Sequence, residues 1–457
     1  MQQTKATEDF VEAVCKQVRW KQAHSTISRD LSDHIEDQAE VYTQEGMEAC
    51  AAAERAVKDM GDPIGIGLLL DASYRPKIEW SMLILLGLMV LSGMVVRLLF
   101  YQLSVGEWIE YAAALGAGAL CFVGMLQMNF YRMLKGAWYF QIAFFLITIV
   151  IPYVENWLFG KGTHFLAETA WLQALWMLYP PIYAFAIYRM RGSGFLGLIA
   201  TGALLAVPLL LRLYMPDPIT VYEMIAISSC FVVTIVAIWL KCYRCNRLLA
   251  FAVTSIVTIG GIFVIAIWEP YRFARILGTI NPANDPLGDG YLSLCIRELV
   301  QNATWFGRGK ALSEATQYFV ENSNQLTSNF ALTRLIYEFG YSVLAALCGF
   351  VFAFLMFAFA RVRRIGSQLG KLLAVSVLVA LTAQSILYIA SCVGYPMMSS
   401  SALPFILGNN LFVIFDYILL GLLLSLFRTD ALFADTVPRQ WKRLHLHISV
   451  TAQADDR

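Results

Sequence analysis

Long apolar runs separated by short polar segments make up most of the chain after residue 77. A run of about 18 or more apolar residues is long enough to cross a bilayer as a helix. Ten runs reach or approach this length, near residues 81–101, 111–131, 138–154, 172–188, 194–214, 221–240, 248–268, 340–360, 371–392 and 405–427. The pattern predicts an all-α, polytopic membrane protein with about ten transmembrane helices.

Lys and Arg are unequally distributed among the segments that connect these runs. Alternate connections carry clusters of cations, namely Arg132 and Lys135; Arg189 and Arg191; Lys241, Arg244 and Arg247; and Arg361, Arg363, Arg364 and Lys371. The short connections between them, near 102–110, 155–171 and 215–220, contain only Lys161. Because cytosolic loops are enriched in Lys and Arg, we expect both termini to be cytosolic and segment 269–339 to be external.

Residues 1–77 form a separate, charge-rich stretch. Apolar residues recur there at the four-residue spacing of an amphipathic helix: Ile27, Leu31 and Ile35. The pair Asp62-Pro63 is typical of a helix start. The stretch contains 14 acidic and 9 basic residues, hence a net charge of about −5. An anionic lipid surface would repel it, so we expect a small cytosolic helical domain that binds a cytosolic protein.

The amino-acid composition further limits the class of protein to which the chain can belong. Of the 457 residues, 58% are hydrophobic and 15% charged, whereas soluble domains carry about 25% charged residues. This excludes a soluble enzyme and a disordered scaffold. A net charge of +1 gives no basic surface for nucleic acid. Cys242 and Cys245 could form half of a metal or redox site, but no second pair completes it, so we expect no metal and no cofactor.

The external segment contains a series of short motifs in a fixed order. They are Pro270-Tyr271-Arg272-Phe273-Ala274-Arg275-Ile276, then Asp285-Pro286, Gly290-Tyr291, Gly307-Arg308-Gly309, Ser328-Asn329-Phe330 and Glu338-Phe339-Gly340, with Leu403-Pro404-Phe405 before the last run. This order and spacing resembles the SEDS family, the FtsW, RodA and SpoVE proteins of bacterial division, elongation and sporulation. The resemblance covers roughly residues 80–430.

The resemblance implies a function in cell-wall synthesis at the bacterial cytoplasmic membrane. Active members polymerise lipid II, a lipid-linked precursor, beside a class B penicillin-binding protein. We therefore expect a lipid II-like ligand and a partner of that kind. The matching substrate-binding positions are Tyr271, Arg275, Asp285, Tyr291, Arg308, Glu168 and Asp217.

The chain departs from the family where its chemistry is concentrated. The family's catalytic loop aspartate, which can act as general base toward a sugar hydroxyl, corresponds to Asn329. An amide cannot accept that proton. Trp171 also stands where the family has a Lys. Glu338 is the alternative carboxylate, although capping or charge pairing at a helix end is its simpler role.

Three interpretations of function follow from these matches. The first is a divergent SEDS-like protein that binds lipid-linked precursor or a synthase partner without polymerising. The second is an active peptidoglycan glycosyltransferase. The third is a precursor flippase, which would need charged residues deep in several spans; we identify Arg97, Arg212 and Glu223 there, and for both arginines we favour snorkelling to the interface.

The sequence also predicts the domain boundaries. We expect a cytosolic prefix domain at 1–77, a SEDS-like membrane domain at 78–430 and a cytosolic tail at 431–457. The prefix, with Met60-Gly61-Asp62-Pro63, resembles the HAAS-type domains found ahead of some bacterial permease-like proteins, where they are regarded as interaction modules. In the tail, Arg439-Gln440-Trp441-Lys442-Arg443 predicts a headgroup anchor.

Overall fold

The structure of the chain is a computed structural model. It describes residues 5–75, 79–100, 105–128, 130–159, 170–212, 220–268, 276–288, 290–323, 326, 329–396, 402–407 and 410–429. Throughout these ranges the regular structure is helical, apart from an isolated bridge between Leu403 and Leu407. The all-α prediction is confirmed.

The N-terminal stretch forms four helices: α1 (Lys5–Gln17), α2 (His24–Gln44), α3 (Ala49–Asp59) and α4 (Pro63–Tyr74). The carboxylate of Asp62 accepts hydrogen bonds from the amides of Ile64 and Gly65, so the predicted start of α4 is confirmed. Gly46, with φ 96°, follows the end of α2 in the left-handed region that glycine adopts without strain.

These four helices share a hydrophobic core of their own. Its buried members include Val14 of α1, Ile27 and Ile35 of α2, and Ala52 and Ala56 of α3. Leu31 packs against this core, as the four-residue spacing predicts. The larger core of the remaining helices begins only at Met82. The apolar contacts of the described residues thus divide into two clusters, one in α1–α4 and one that begins in α5.

All ten predicted spans contain helix. The helices are α5 (Trp80–Phe100), α6 (Val105–Gln127), α7 (Phe130–Lys135), α8 (Ala137–Phe145), α9 (Ile151–Phe159), α10 (Ala170–Leu175), α11 (Tyr179–Arg189), α12 (Gly194–Arg212), α13 (Val221–Trp239) and α14 (Arg247–Trp268). After the external segment follow α18 (Tyr341–Val362), α19 (Gln368–Cys392) and α20 (Asn410–Thr429).

Two of the spans are irregular. The third consists of α8 and α9 joined by a π-helical turn at Leu146–Val150, and the fourth of α10 and α11 joined by a 3₁₀ turn at Trp176–Leu178. Among the described residues, six helices are long and apolar enough to cross a membrane, namely α5, α6, α13, α18, α19 and α20. Three shorter apolar helical stretches accompany them, at Ala137–Thr148, Gly194–Ala206 and Arg247–Gly261.

Burial separates central from peripheral spans. In the 18-residue apolar stretch of each helix, 61% of α13, 61% of α19 and 67% of α20 is buried inside the protein. The corresponding buried fractions of α6 and α18 are 17% and 22%. Since apolar side chains that face lipid need no protein partner, the low values are typical of lipid-facing helices. The central helices α13, α19 and α20 therefore form the interior of the bundle, where a buried polar group would lie.

Segment 269–339, called the external segment after its predicted position, contains the short helices α15 (Tyr291–Gln301), α16 (Glu314–Asn322) and α17 (Ala331–Phe339) in its described part. α17 is strongly amphipathic and buries Leu332, Leu335 and Ile336. It packs against α15, α18 and α19. The described part of the segment therefore packs onto the helix bundle.

Candidate functional site

Asn329 lies in the turn just before α17, and its side chain is exposed. The helix that follows is fixed to the bundle at its first turn. The amide of Leu332 donates to the hydroxyl of Tyr388 at 3.4 Å, and the hydroxyl of Thr333 donates to the carbonyl of Cys392 at 2.7 Å. Both acceptors belong to α19, so Asn329 stands at a defined place beside the end of that span.

Glu338 lies at the other end of α17. Its carboxylate Oε2 is 3.7 Å from Nε of Arg308, with the two side chains 28% and 73% exposed. Ala331 and Glu338 are seven residues apart in α17, which is about 10 Å along the helix axis. The structure therefore pairs Glu338 with Arg308 and does not bring it to the position of Asn329.

The loop before Arg308 is fixed to the C-terminal end of α17 by backbone hydrogen bonds. The amides of Gly307 and Gly309 donate to the carbonyls of Phe339 and Tyr337 at 3.1 and 2.7 Å. Gly340 has φ 93°, and a Cβ added there would lie 2.6 Å from the carbonyl oxygen of Trp305. Only glycine fits this close approach, so these motif glycines serve the scaffold.

Tyr291, at the start of α15, borders an open groove of about 630 Å³ between α15, α16 and the 280–287 loop. Its ring packs edge-on against Phe319 with centroids 6.1 Å apart, and its hydroxyl donates to the carbonyl of Ala315 at 3.4 Å. The tyrosine thus joins α15 to α16 and presents one edge to the groove.

Glu298 lines the same groove, and its carboxylate accepts three hydrogen bonds from the start of α16. It accepts from the amide and hydroxyl of Ser313 at 2.6 and 2.7 Å and from the hydroxyl of Thr316 at 2.5 Å. Burial by itself raises its pKa, but these donors outweigh that effect and the pKa lies below its ordinary value. Glu298 is therefore an ionised structural acceptor at the start of α16.

Asp285 organises the loop that precedes α15. Its carboxylate accepts from the amide of Gly288 at 3.1 Å, and its carbonyl accepts from the amide of Gly290 at 3.0 Å. A Cβ at Gly290 would lie 2.3 Å from the carbonyl oxygen of Pro282. The Asp-Pro and Gly-Tyr motifs thus form one compact turn.

Arg297 makes contacts that the spacing of residues in the sequence does not reveal. Its guanidinium donates to the carbonyls of Thr279 and Gly394 at 2.6 and 3.1 Å and lies 4.6 Å from the ring centroid of Tyr395. It therefore fastens the external segment to the end of α19, 97 residues away in the chain.

Four of the predicted substrate-binding residues lie outside the described residues: Tyr271, Arg275, Glu168 and Asp217. Of the others, the structure brings Asp285 and Tyr291 together at one end of α15. Arg308 lies with Glu338 at a different place.

Asp416, inside α20, is a charged residue within a span that the sequence survey overlooked. It is 3% exposed, and Oδ2 accepts from the amide of Phe405 at 3.2 Å. Phe405 has φ 64°, a conformation that costs a residue with a side chain about 1 kcal/mol or more. Tyr222 of α13, stacked on Phe412, is hydrogen-bonded to the backbone of Ala402. The carboxylate of Asp416 therefore holds the turn of the Leu-Pro-Phe motif.

The other charged residues within spans have local roles. Glu223 forms a reciprocal capping box with Thr220 at the start of α13. Arg97 was expected to snorkel, but it is 8% exposed and lies 4.1 Å from the ring centroid of Tyr111. A cation over an aromatic face is stabilised when it is desolvated, so Arg97 is held between helices. The side chain of Arg212 lies outside the described residues.

The described parts of the site carry no constellation for metal chemistry. Within them, no group of three or more His, Cys, Asp or Glu side chains is placed to hold a metal ion. The position that the motifs assign to a general base holds an amide, and the nearby carboxylates Glu298, Glu338 and Asp285 are each engaged in a structural contact. Among the described residues, the exposed turn at position 329 offers an amide, which can bind polar groups, and not a carboxylate.

Comparison with known proteins relates the chain to peptidoglycan synthesis proteins. It matches no protein-family model. It is 26% identical over 219 residues to the probable peptidoglycan glycosyltransferase FtsW of Pseudoalteromonas translucida, across 47% of this chain and 52% of that protein. The counterpart of the same name from Acinetobacter baylyi is 30% identical over 105 residues, 23% of this chain and 26% of the relative. The matched region thus spans about half, or less, of these relatives.

Solved structures share the fold over a larger part of the chain. The rod shape determining protein RodA of Thermus thermophilus superposes with a TM-score of 0.52 at 15% identity, covering 77% of this chain and 97% of that one. A chain from a peptidoglycan synthase complex that coordinates polymerization and crosslinking gives a TM-score of 0.57 at 18% identity, covering 77% and 98%. The chain is a multi-pass membrane protein, and its fold and relatives confirm the resemblance to the SEDS family.

Proposed function

We propose that this chain acts in bacterial cell-wall synthesis as a divergent SEDS-like protein that binds a lipid-linked precursor or a synthase partner without polymerising the precursor. The relatives' names and the shared fold support the cell-wall setting. The proposed function differs from the activity in the relatives' names in one respect, because this chain would bind the precursor without polymerising it.

The observation that carries the proposal is the exposed amide of Asn329. Deprotonation of a sugar hydroxyl needs a group that takes up the proton near neutral pH. Glu338, the alternative carboxylate, lies at the far end of α17 and pairs with Arg308. A scaffold that keeps its motif turns but lacks the base supports binding rather than turnover.

The proposed ligands follow from the relatives. A lipid II-like precursor and a class B penicillin-binding protein are the ligand and partner that the family resemblance implies. The synthase complex among the structural neighbours supports a membrane partner for a chain of this fold. We place both termini in the cytosol and the segment with Asn329 outside, as the Lys and Arg distribution predicts.

Three assays on one preparation test the proposal. The purified chain is given labelled lipid II in detergent, with and without a candidate penicillin-binding partner, and bound lipid, polymer length and partner co-purification are measured. We expect lipid or partner binding and no polymer. Asn329→Asp restores the ionisable group at the turn, and Asn322→Asp, at the exposed end of α16, is the matched control.

Each alternative function predicts its own result. Polymer from the wild type that is abolished by Asn329→Ala or by Glu338→Gln would establish an active glycosyltransferase and overturn the proposal. Movement of labelled lipid II across sealed vesicles without polymer would establish a flippase. Absence of both lipid and partner binding would also contradict the proposal.

The prefix domain has a separate proposed role. We place it in the cytosol as a HAAS-type interaction module, supported by its own hydrophobic core and its net charge of about −5. Deletion of residues 1–75 should leave membrane insertion unchanged and remove a cytosolic protein from affinity pull-downs. Loss of insertion, measured by protease protection, would contradict an independent module.

A further inference from the structure

A groove of about 440 Å³ runs between α1 and α2 of the prefix domain. Its α1 wall carries Glu8, Val11 and Glu12, and its α2 wall carries three serines, Ser25, Ser28 and Ser32. Cys15 and His24 complete the lining at one end, and no Lys or Arg is among these eight residues. Two carboxylates facing hydroxyl acceptors form a surface suited to cationic side chains.

The acidic wall is open to exchange with an incoming cation. Glu12 is 2.9 Å from Lys16 one turn along α1, and both side chains are about two-thirds exposed, at 67% and 70%. Exposed pairs at this spacing are held weakly. A guanidinium that enters the groove can therefore displace Lys16 from the Glu12 carboxylate.

The last described helix ends beside this groove. The guanidinium carbon of Arg428, in the last turn of α20, lies 6.0 Å from the ring centroid of Trp20. Trp20 belongs to the connection between α1 and α2, next to the end of the groove that Cys15 and His24 line. The chain that follows α20 therefore begins near the groove.

The sequence after α20 has the complementary charge. Residues 430–457 lie outside the described residues, and their sequence includes Arg439, Lys442 and Arg443, with His445 and His447 close behind. Nine residues, 430–438, connect Thr429 to Arg439 and can reach up to about 30 Å. The distance along α1 from Glu8 to Cys15 is about 10 Å, so the basic segment can reach the whole groove.

We propose that the basic segment Arg439–Arg443 docks into the α1–α2 groove of the same molecule. Its cations pair with Glu8 and Glu12, and the serines of α2 accept its remaining hydrogen bonds. Tethering gives such a segment an effective concentration in about the millimolar range. The docked tail covers acidic prefix surface, so a cytosolic partner that binds this surface must displace it. This intramolecular contact is independent of whether the chain polymerises lipid II.

Crosslinking of the full-length chain in nanodiscs tests the contact. Gln440→Cys is combined with Ser28→Cys in the groove and with Cys15→Ser, which removes the native groove thiol, while the native Cys50, exposed on α3 of the same domain, reports random encounters. After mild oxidation, the disulfides are located by peptide mass spectrometry. We expect disulfides of residue 440 with residue 28 to exceed those with Cys50 about fivefold or more, because docking raises the local concentration. Equal yields at both positions would overturn the proposal.

Charge reversal separates docking from membrane anchoring. Glu8→Lys with Glu12→Lys should lower the yield at residue 28 about fivefold, since like charges oppose the contact. The control Asp33→Lys with Asp37→Lys reverses two exposed charges that do not line the groove and should leave the yield unchanged. Equal loss in both variants would place the tail elsewhere and overturn the proposal.

Discussion

The external segment and the interior of the helix bundle use carboxylates in different ways. In the external segment, Asn329 leaves an exposed amide where the family motif has a base, and Glu338 pairs with the exposed Arg308. In the interior, Asp416 is 3% exposed and holds the amide of Phe405 in a turn of positive φ. The difference shows that the chain keeps ionisable groups where they support the scaffold and lacks one where the chemistry would need it.

The largest effect is expected at the scaffold of the external segment. Gly340→Ala puts a Cβ within 2.6–2.7 Å of the carbonyls of Thr304 and Trp305 at φ 93°, so we expect a loss of about 3 kcal/mol in unfolding free energy. Thermal unfolding in detergent measures it. Asn329→Ala, at the exposed turn, should change stability by less than about 0.5 kcal/mol. Similar losses in both variants would remove the distinction between scaffold and reaction position.

Asp416 tests the interior side of the comparison. Asp416→Ala leaves the buried amide of Phe405 without its acceptor, and such a group costs about 2 kcal/mol. Asp416→Asn retains an oxygen acceptor and should cost less than about 1 kcal/mol. Both are compared by thermal unfolding. If the asparagine variant were the less stable of the two, the carboxylate would have a function beyond holding the turn.

Glu298 gives a pH-dependent test within the external segment. Its pKa is lowered in the folded protein, so its stabilising contribution is present above the unfolded pKa of about 4.3 and is lost as the pH falls through the lower folded pKa. Glu298→Gln should remove this dependence and expose the start of α16. Hydrogen exchange at the amides of Ser313 and Thr316 measures it. Protection that is unchanged in the glutamine variant would contradict the assigned role.

The smallest effect is expected at the Arg308–Glu338 pair. With Arg308 73% exposed and a separation of 3.7 Å, Arg308→Ala should lower the unfolding free energy by less than about 1 kcal/mol. A double-mutant cycle with Glu338→Gln isolates the coupling. Coupling well above this value would indicate a shielded, functional pair at this end of α17.

The sequence predicts the elements well because run length and charge placement are local properties. All ten predicted spans are helical, and Asp62 caps α4 as expected. Asp416 escaped notice because one carboxylate barely changes the mean hydropathy of a twenty-residue apolar run. Arg97 was assigned to the interface because sequence position does not reveal the ring of Tyr111 beneath it.

The site was harder to predict than the fold. The motif order identifies which residues belong to the external segment, but the contacts that arrange them join distant parts of the chain. Arg297 reaches Gly394, and Thr333 reaches Cys392, 97 and 59 residues away. No spacing rule for helices or turns connects such pairs, so only the packed structure shows that Asn329 and Glu338 lie at opposite ends of α17.

If the amide at position 329 leaves a binding scaffold without a base, the chain makes no glycan from labelled lipid II, and the length distribution of the product measures this. Wild-type chain and Asn329→Asp are compared at equal lipid binding, each with the same candidate partner. We expect no polymer from the wild type; polymer from Asn329→Asp would show that the site geometry is retained. Polymer from the wild type that disappears in Asn329→Ala would show that the asparagine supports polymerisation and would overturn the proposed function.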